Sequence, residues 1–97
     1  MNSLIFAPKA RADFDRIFDF LFEHAPDYAA TRIQDIIAAI NILQASPLIG
    51  RPMAFGQREL IISTGKSGYL ALYRYDPVQD IVFVLAIRSQ RERDYKV

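Results

Sequence analysis

The residues best suited to chemistry lie at the end of the chain, Arg88-Ser-Gln-Arg91-Glu-Arg93-Asp-Tyr95, with Lys96 behind them. A guanidinium stays charged and forks onto phosphate or carboxylate oxygens. Three arginines and a tyrosine at this spacing suit docking on an anionic partner, or acid/base work on a polyanion. Arg51 and Arg58 are placed to join them at one end of a sheet. The plainer alternative is a terminal segment with local Arg–Glu pairs.

The other candidates are weaker. His24, the single histidine, stands beside Pro26 at a helix end, where its charged form would favour the last carbonyls. A general base would need a carboxylate or nucleophile held close by, and nothing in the sequence suggests one. Asp13, Asp15, Asp19 and Glu23 form a ladder of acids at helical spacing. A divalent cation needs several oxygens converging from more than one place, so this ladder reads as a solvated face. Tyr69, Tyr73 and Tyr75 share one face of a strand and either pack a sheet or stack a base. Arg74 falls on the opposite face, where its charge must reach an edge, a carboxylate or a ligand.

Those side chains need a scaffold, and 97 residues supply one domain. The 52% apolar content offsets chain entropy and leaves some apolar surface for a partner. There is no cysteine, so disulfides and thiolate metal sites are excluded. Neither a secretory leader nor a bilayer-spanning run of roughly 20 apolar residues is evident. The net charge of +1 argues against strong nonspecific nucleic-acid binding. Its distribution is uneven. Residues 1–50 carry four Lys/Arg against six Asp/Glu, and residues 51–97 carry eight against five.

Periodicity gives the order β-α-α-β-β-β. A short strand, Ser3 to Phe6, ends before Pro8. Phe14, Ile17, Phe18, Leu21 and Phe22 then form one apolar stripe of a first helix. Pro26 breaks that helix and starts a second, whose stripe is Ala29, Ile33, Ile36, Ile37, Ile40 and Leu43, ending at Ser46-Pro47. The short connection makes an antiparallel helical hairpin. Residues 48–56 read as a loop. Strands follow at Arg58 to Ser63, Tyr69 to Tyr75 and Ile81 to Arg88. The last is apolar throughout its first seven residues, which predicts a central strand covered on both faces. The expected class is α+β, the hairpin laid on a mostly antiparallel sheet.

In that order and spacing the chain resembles the RelE/ParE superfamily of bacterial toxins. The matching pieces are the opening strand, Pro8-Lys-Ala-Arg-Ala-Asp-Phe14 and Pro47-Leu-Ile-Gly-Arg51. After them come Arg58-Glu-Leu60, Gly68-Tyr-Leu-Ala-Leu-Tyr-Arg-Tyr75 and Ile87-Arg-Ser-Gln-Arg-Glu-Arg-Asp-Tyr95. The resemblance implies a cytoplasmic toxin of a plasmid-stabilising type II toxin–antitoxin module, without cofactor or metal. A cognate antitoxin would neutralise it by folding on the hairpin, through Phe14, Phe18, Ile33 and Ile37, in a hetero-oligomer. Free toxin would then aggregate or dimerise through the exposed groove.

Two branches of the superfamily differ in target. RelE-like members cut mRNA on the ribosome, and here that role would fall to Arg74, Arg91, Arg93 and Tyr95. ParE-like members are associated with poisoning DNA gyrase, and here docking would use Arg51, Arg58, Arg88, Arg91 and Arg93. The ParE-like branch fits better, as a binding toxin rather than an enzyme. Leu70 stands where the nuclease type carries an arginine, the chain is nearly neutral, and Arg88-Ser-Gln-Arg-Glu92 resembles an Arg-His-Gln-Arg-Glu motif with Ser89 in place of the histidine.

Overall fold

Two prolines set the helices. Pro8 opens α1 (Pro8–His24) and Pro26 opens α2 (Pro26–Asn41), each at a first-turn position where a missing N–H costs nothing. Ala25 closes one helix, its N–H donating to Leu21 O at 2.7 Å, and serves as the cap before the other. The hairpin therefore turns on a single residue. In this computed structural model, residues 1–63, 68–92 and 94–95 are described. Among them no helix is long and apolar enough to cross a membrane.

The strands are β1 (Ser3–Phe6), β2 (Arg51–Pro52), β3 (Arg58–Ile62), β4 (Tyr69–Asp76) and β5 (Ile81–Ser89). They form one five-stranded sheet in the order β1-β5-β4-β3-β2. β1 runs parallel to β5 and the other neighbours are antiparallel. The α+β class stands as expected. β2 is an addition: the segment read as loop contributes two residues that pair with Glu59 and Arg58. α2 also stops earlier than its stripe suggested and tightens into a 3₁₀ turn, Ile42–Gln44, which buries Leu43.

The helices cover one face of the sheet. Ile17, Leu21, Ile33, Ile36 and Ile40 meet Leu60, Ile62, Tyr69, Tyr73, Val82, Val84 and Ile87 there. The tyrosine face of β4 is thus core packing. The buried stripe of α1 is Ala10, Asp13, Ile17 and Leu21, while Phe18 and Phe22 stay exposed with their rings 5.6 Å apart. The apolar arc of this helix is wider than the sheet can cover, so its far edge faces outward.

β5 is central, but it is not covered equally on both faces. Ile81 and Phe83 of the outer face are only half-buried. A bulge between Leu72 and Tyr73 leaves Leu85 as the extra residue of β5. It shifts the alternation, so that Ile87 points to the core and Arg88 pairs with Leu70 on the outer face.

The connection to β3 is held from inside. The Tyr73 hydroxyl donates to Pro47 O at 2.7 Å and accepts from the Gly50 N–H at 2.9 Å. A Cβ on Gly50 would lie 2.6 Å from the Tyr73 ring, so only glycine fits. Arg58 completes the clamp by donating to Gly50 O at 2.8 Å and Leu48 O at 3.2 Å.

Candidate functional site

The tail folds back onto the outer face of the sheet because a buried carboxylate waits there. Glu59 alternates away from the core residues Leu60 and Ile62, yet it is only 2% exposed. Burial of a lone carboxylate is costly, so it must be paired. Arg51, its cross-strand neighbour, donates from Nε at 2.9 Å and also from Nη2. The Tyr95 hydroxyl donates to the other carboxylate oxygen at 2.5 Å. Arg88 lies over the Tyr95 ring, 5.2 Å from its centroid, and donates to Glu92 O at 2.5 Å.

This arrangement sets the protonation states. Burial alone would raise the Glu59 pKa, but the hydrogen bonds from Tyr95 and Arg51 and the nearby charges hold it below the usual value. Tyr95 moves the other way: burial, then the hydrogen bond and charge of Glu59, push its pKa upward. Ionising Tyr95 would set two negative charges side by side. Its hydroxyl is therefore a donor at neutral pH and a poor proton acceptor.

A second carboxylate fixes the other side of β5. Asp13 is 3% exposed on α1, in phase with the core stripe. β1 pairs with β5 only as far as Val84. Beyond that point the Ile87 N–H donates to Asp13 Oδ2 at 3.0 Å, a side chain taking the place of a strand. Lys9 Nζ donates to both carboxylate oxygens at 3.0 and 2.9 Å, and Arg16 Nη2 stands 3.5 Å from Oδ1. Arg16 also pairs with Glu92, whose carboxylate accepts from the Ser89 N–H at 3.2 Å. The expected solvated ladder of acids is corrected at its first member: Asp13 is structural. Among the described residues, no group of three His, Asp or Glu side chains gathers to hold a metal ion.

Between the hairpin tip and the end of the sheet lies a cleft of about 800 Å³. Ile17, Leu21 and Tyr69 form its base, Phe20 and Tyr28 its mouth, and Arg16, Arg32 and Arg91 its rim. His24 lines it too, its ring 4.4 Å from that of Phe20.

The residues singled out from sequence thus separate. Arg51 and Arg88 belong to the Glu59 cluster, while Arg58 is spent on the loop. Arg74 is exposed and lies 4.7 Å over the Phe83 ring. Arg91 lines the cleft. Tyr95 bonds to Glu59, away from the Phe83 ring under Arg74. Arg93 lies outside the described residues. On the hairpin, Phe18 and Ile37 are exposed and Phe14 is half-buried, whereas Ile33 is 8% exposed and sits in the core. Sequence reasoning overlooked Glu59, Glu92, Arg16 and the cleft. Asp13 was detectable by its phase with Ala10, Ile17 and Leu21. A lone acid in an apolar strand, Glu59, was a fainter signal.

Burial also raises the Tyr69 and Tyr73 pKa values. With Tyr95, three phenols resist ionisation in the fold and ionise near the ordinary value of about 10 once unfolded. The unfolded chain then binds fewer protons, so stability is present below pH 10 and is lost as pH rises above it. A urea midpoint followed from pH 8 to 11 is expected to fall steeply above pH 10, with tyrosinate absorbance appearing alongside unfolding. A flat midpoint would contradict the packing of these rings.

Residues 4–94 match the family model for the ParE toxin of the type II toxin–antitoxin system parDE. Toxin RelE3 of Caulobacter vibrioides is 33% identical over 93 residues, spanning 96% of this chain and 99% of its own. Toxin RelE1 of the same organism is 32% identical over 72 residues, 74% of this chain and 77% of its own. Among solved structures, a chain of the chromosomal ParDE system of P. aeruginosa superposes with a TM-score of 0.73 at 29% identity, covering 92% of this chain and 96% of that one. A chain of the intact E. coli RelBE toxin–antitoxin complex gives a TM-score of 0.69 at 17% identity, covering 96% and 100%. The last likeness speaks for the fold alone.

Proposed function

The chain belongs to the ParE toxin family of type II toxin–antitoxin systems, and from that membership we propose that it acts by binding and poisoning DNA gyrase, and that a cognate antitoxin neutralises it. The observation that carries the binding mode is the Tyr95–Glu59 hydrogen bond. The late tyrosine, which an RNA-cutting relative would use in proton transfer, donates instead to a buried carboxylate that raises its pKa. Leu70 stands beside Arg88 across the strands, where the nuclease type would add a guanidinium. Arg51, Arg88 and Arg91 remain the proposed docking residues, together with Arg93. The module would work in the cytoplasm and stabilise the plasmid or chromosome that encodes it.

The test is a reaction of the purified chain with gyrase and relaxed plasmid. Loss of supercoiling and accumulation of cleaved DNA are expected, with mRNA left whole in a translating extract. Normal supercoiling at large toxin excess would remove the proposal. A second reading, ribosome-dependent mRNA cleavage, is favoured by one specific observation: relatives at 33% and 32% identity carry the name RelE. Codon-positioned cuts in that extract would select it.

A further inference from the structure

We propose that Arg51, Arg88 and Tyr95 form a binding site for a phosphate group, and that the Glu59 carboxylate fills it in the free chain as an internal placeholder. Glu59 is then a specificity-determining residue, because it withholds the site from the phosphates of nucleic acid at large. The natural occupant, a phosphodiester of the target's DNA, rests on the docking reading above.

The donors exceed what one carboxylate can use. Arg51 directs two N–H groups, Nε and Nη2, at a single oxygen, Glu59 Oε1. A guanidinium fork is matched instead to two oxygens of one anion. The Tyr95 hydroxyl donates to Oε2. Arg88 adds a further donor. Its Nε is buried and has no acceptor among the described residues, and a buried N–H left unpaired is costly. Two carboxylate oxygens therefore stand where four donors gather. A phosphate brings four oxygens, two for the Arg51 fork and one each for Tyr95 and Arg88.

The hollow is also held in shape and reachable. Arg51 and Glu59 face each other across β2 and β3. Arg88 is anchored through Nη1 to Glu92 O and lies over the Tyr95 ring. Its charge helps to hold the Glu59 pKa down. The Arg51 side chain is 56% exposed while that of Glu59 is 1% exposed, so the guanidinium forms the solvent side of the site. A carboxylate fixed on the strand beside its donors acts at high effective concentration. Free phosphate must displace it to enter.

A carboxylate that only pinned the tail would leave no site behind once removed. The test therefore removes Glu59. Purified Glu59→Ala is melted in chloride and in inorganic phosphate at matched ionic strength. Phosphate about tenfold above its Kd is expected to raise the melting temperature by about 5 °C or more beyond its effect on wild type. Glu59→Gln keeps the hollow filled and should respond as the wild type does. Adding Arg51→Gln to Glu59→Ala should abolish the response.

A short single-stranded DNA separates a phosphodiester from free phosphate. It is expected to bind Glu59→Ala about tenfold more tightly than wild type, with a steeper salt dependence. Glu23→Ala, which removes an exposed acid and changes the net charge equally, should bind as the wild type does. Equal phosphate shifts in wild type, Glu59→Gln and Glu59→Ala would overturn the proposal. If Glu59→Ala does not fold, Glu59→Ser takes its place, and failure of both to fold in phosphate also counts against the site. A phosphate response without tighter DNA binding would keep the site and overturn the phosphodiester as its occupant. A phosphate response in a chain that leaves gyrase untouched would remove the docking reading alone.

Discussion

Asp13→Ala is expected to lower the stability of this chain by about 3 kcal/mol, the range for stripping a buried carboxylate from charged and backbone donors. The loss has two parts. The Ile87 N–H, beyond the reach of β1, is left without an acceptor inside the structure. Lys9 and Arg16 lose their shared anion, though both are partly exposed and recover hydration, so this part is the smaller. Asp13→Asn separates the two, because an amide oxygen still accepts from Ile87. Its cost should be well under half that of the alanine variant. Urea unfolding measures both, and equal losses in the two variants would show that charge, not the backbone bond, holds β5. Since Arg16 links Asp13 to Glu92, the alanine variant should also loosen the segment after Ser89, seen as faster amide exchange there.

Glu59→Ala is expected to release the tail and to cost about 2 kcal/mol at pH 7. Arg51 is 56% exposed and contributes little to that figure. The main loss is the acceptor for the Tyr95 hydroxyl. Without Glu59 charge beside it, Tyr95 should titrate closer to the ordinary phenol value of about 10. The pH dependence gives an independent check. The Glu59 pKa is lowered in the fold, so its contribution is present above the ordinary carboxyl range and is lost as pH falls through its depressed value. The gap between wild type and Glu59→Ala should therefore narrow as pH falls below about 4. A gap that stays constant down to pH 3 would contradict an ionised Glu59.

Much of the fold was legible because the signals are local. The phase of Ile17 and Leu21, the two helix-starting prolines and the alternation of Tyr69, Ala71 and Tyr73 each constrain one element. What escaped depends on tertiary pairing. The two-residue β2 has no periodicity of its own and exists only because Glu59 and Arg58 pair with it. The outward turn of Phe18 and Phe22 follows from how much of α1 the sheet can cover. Among site residues, the arginines of the tail were conspicuous by type, but type did not reveal their partners. Arg88 donates to Glu92 O and lies over the Tyr95 ring, and Arg51 donates to Glu59 while staying half exposed. The carboxylates that organise them looked like surface acids. The cleft was invisible because Arg16, Arg32, Tyr69 and Glu92 come together only once the hairpin lies on the sheet.

That this protein harms cells by holding on to a target, with Tyr95 as a structural pin, is tested most directly in growing cells. Wild type and Tyr95→Phe are induced in parallel, and plasmid linking number and transcript 5′ ends are read from the same culture. The expected result is growth arrest by both proteins, relaxed or cleaved plasmid, and unbroken messages. Fresh transcript ends at codon boundaries with plasmid supercoiling unchanged, and their disappearance in Tyr95→Phe, would contradict it.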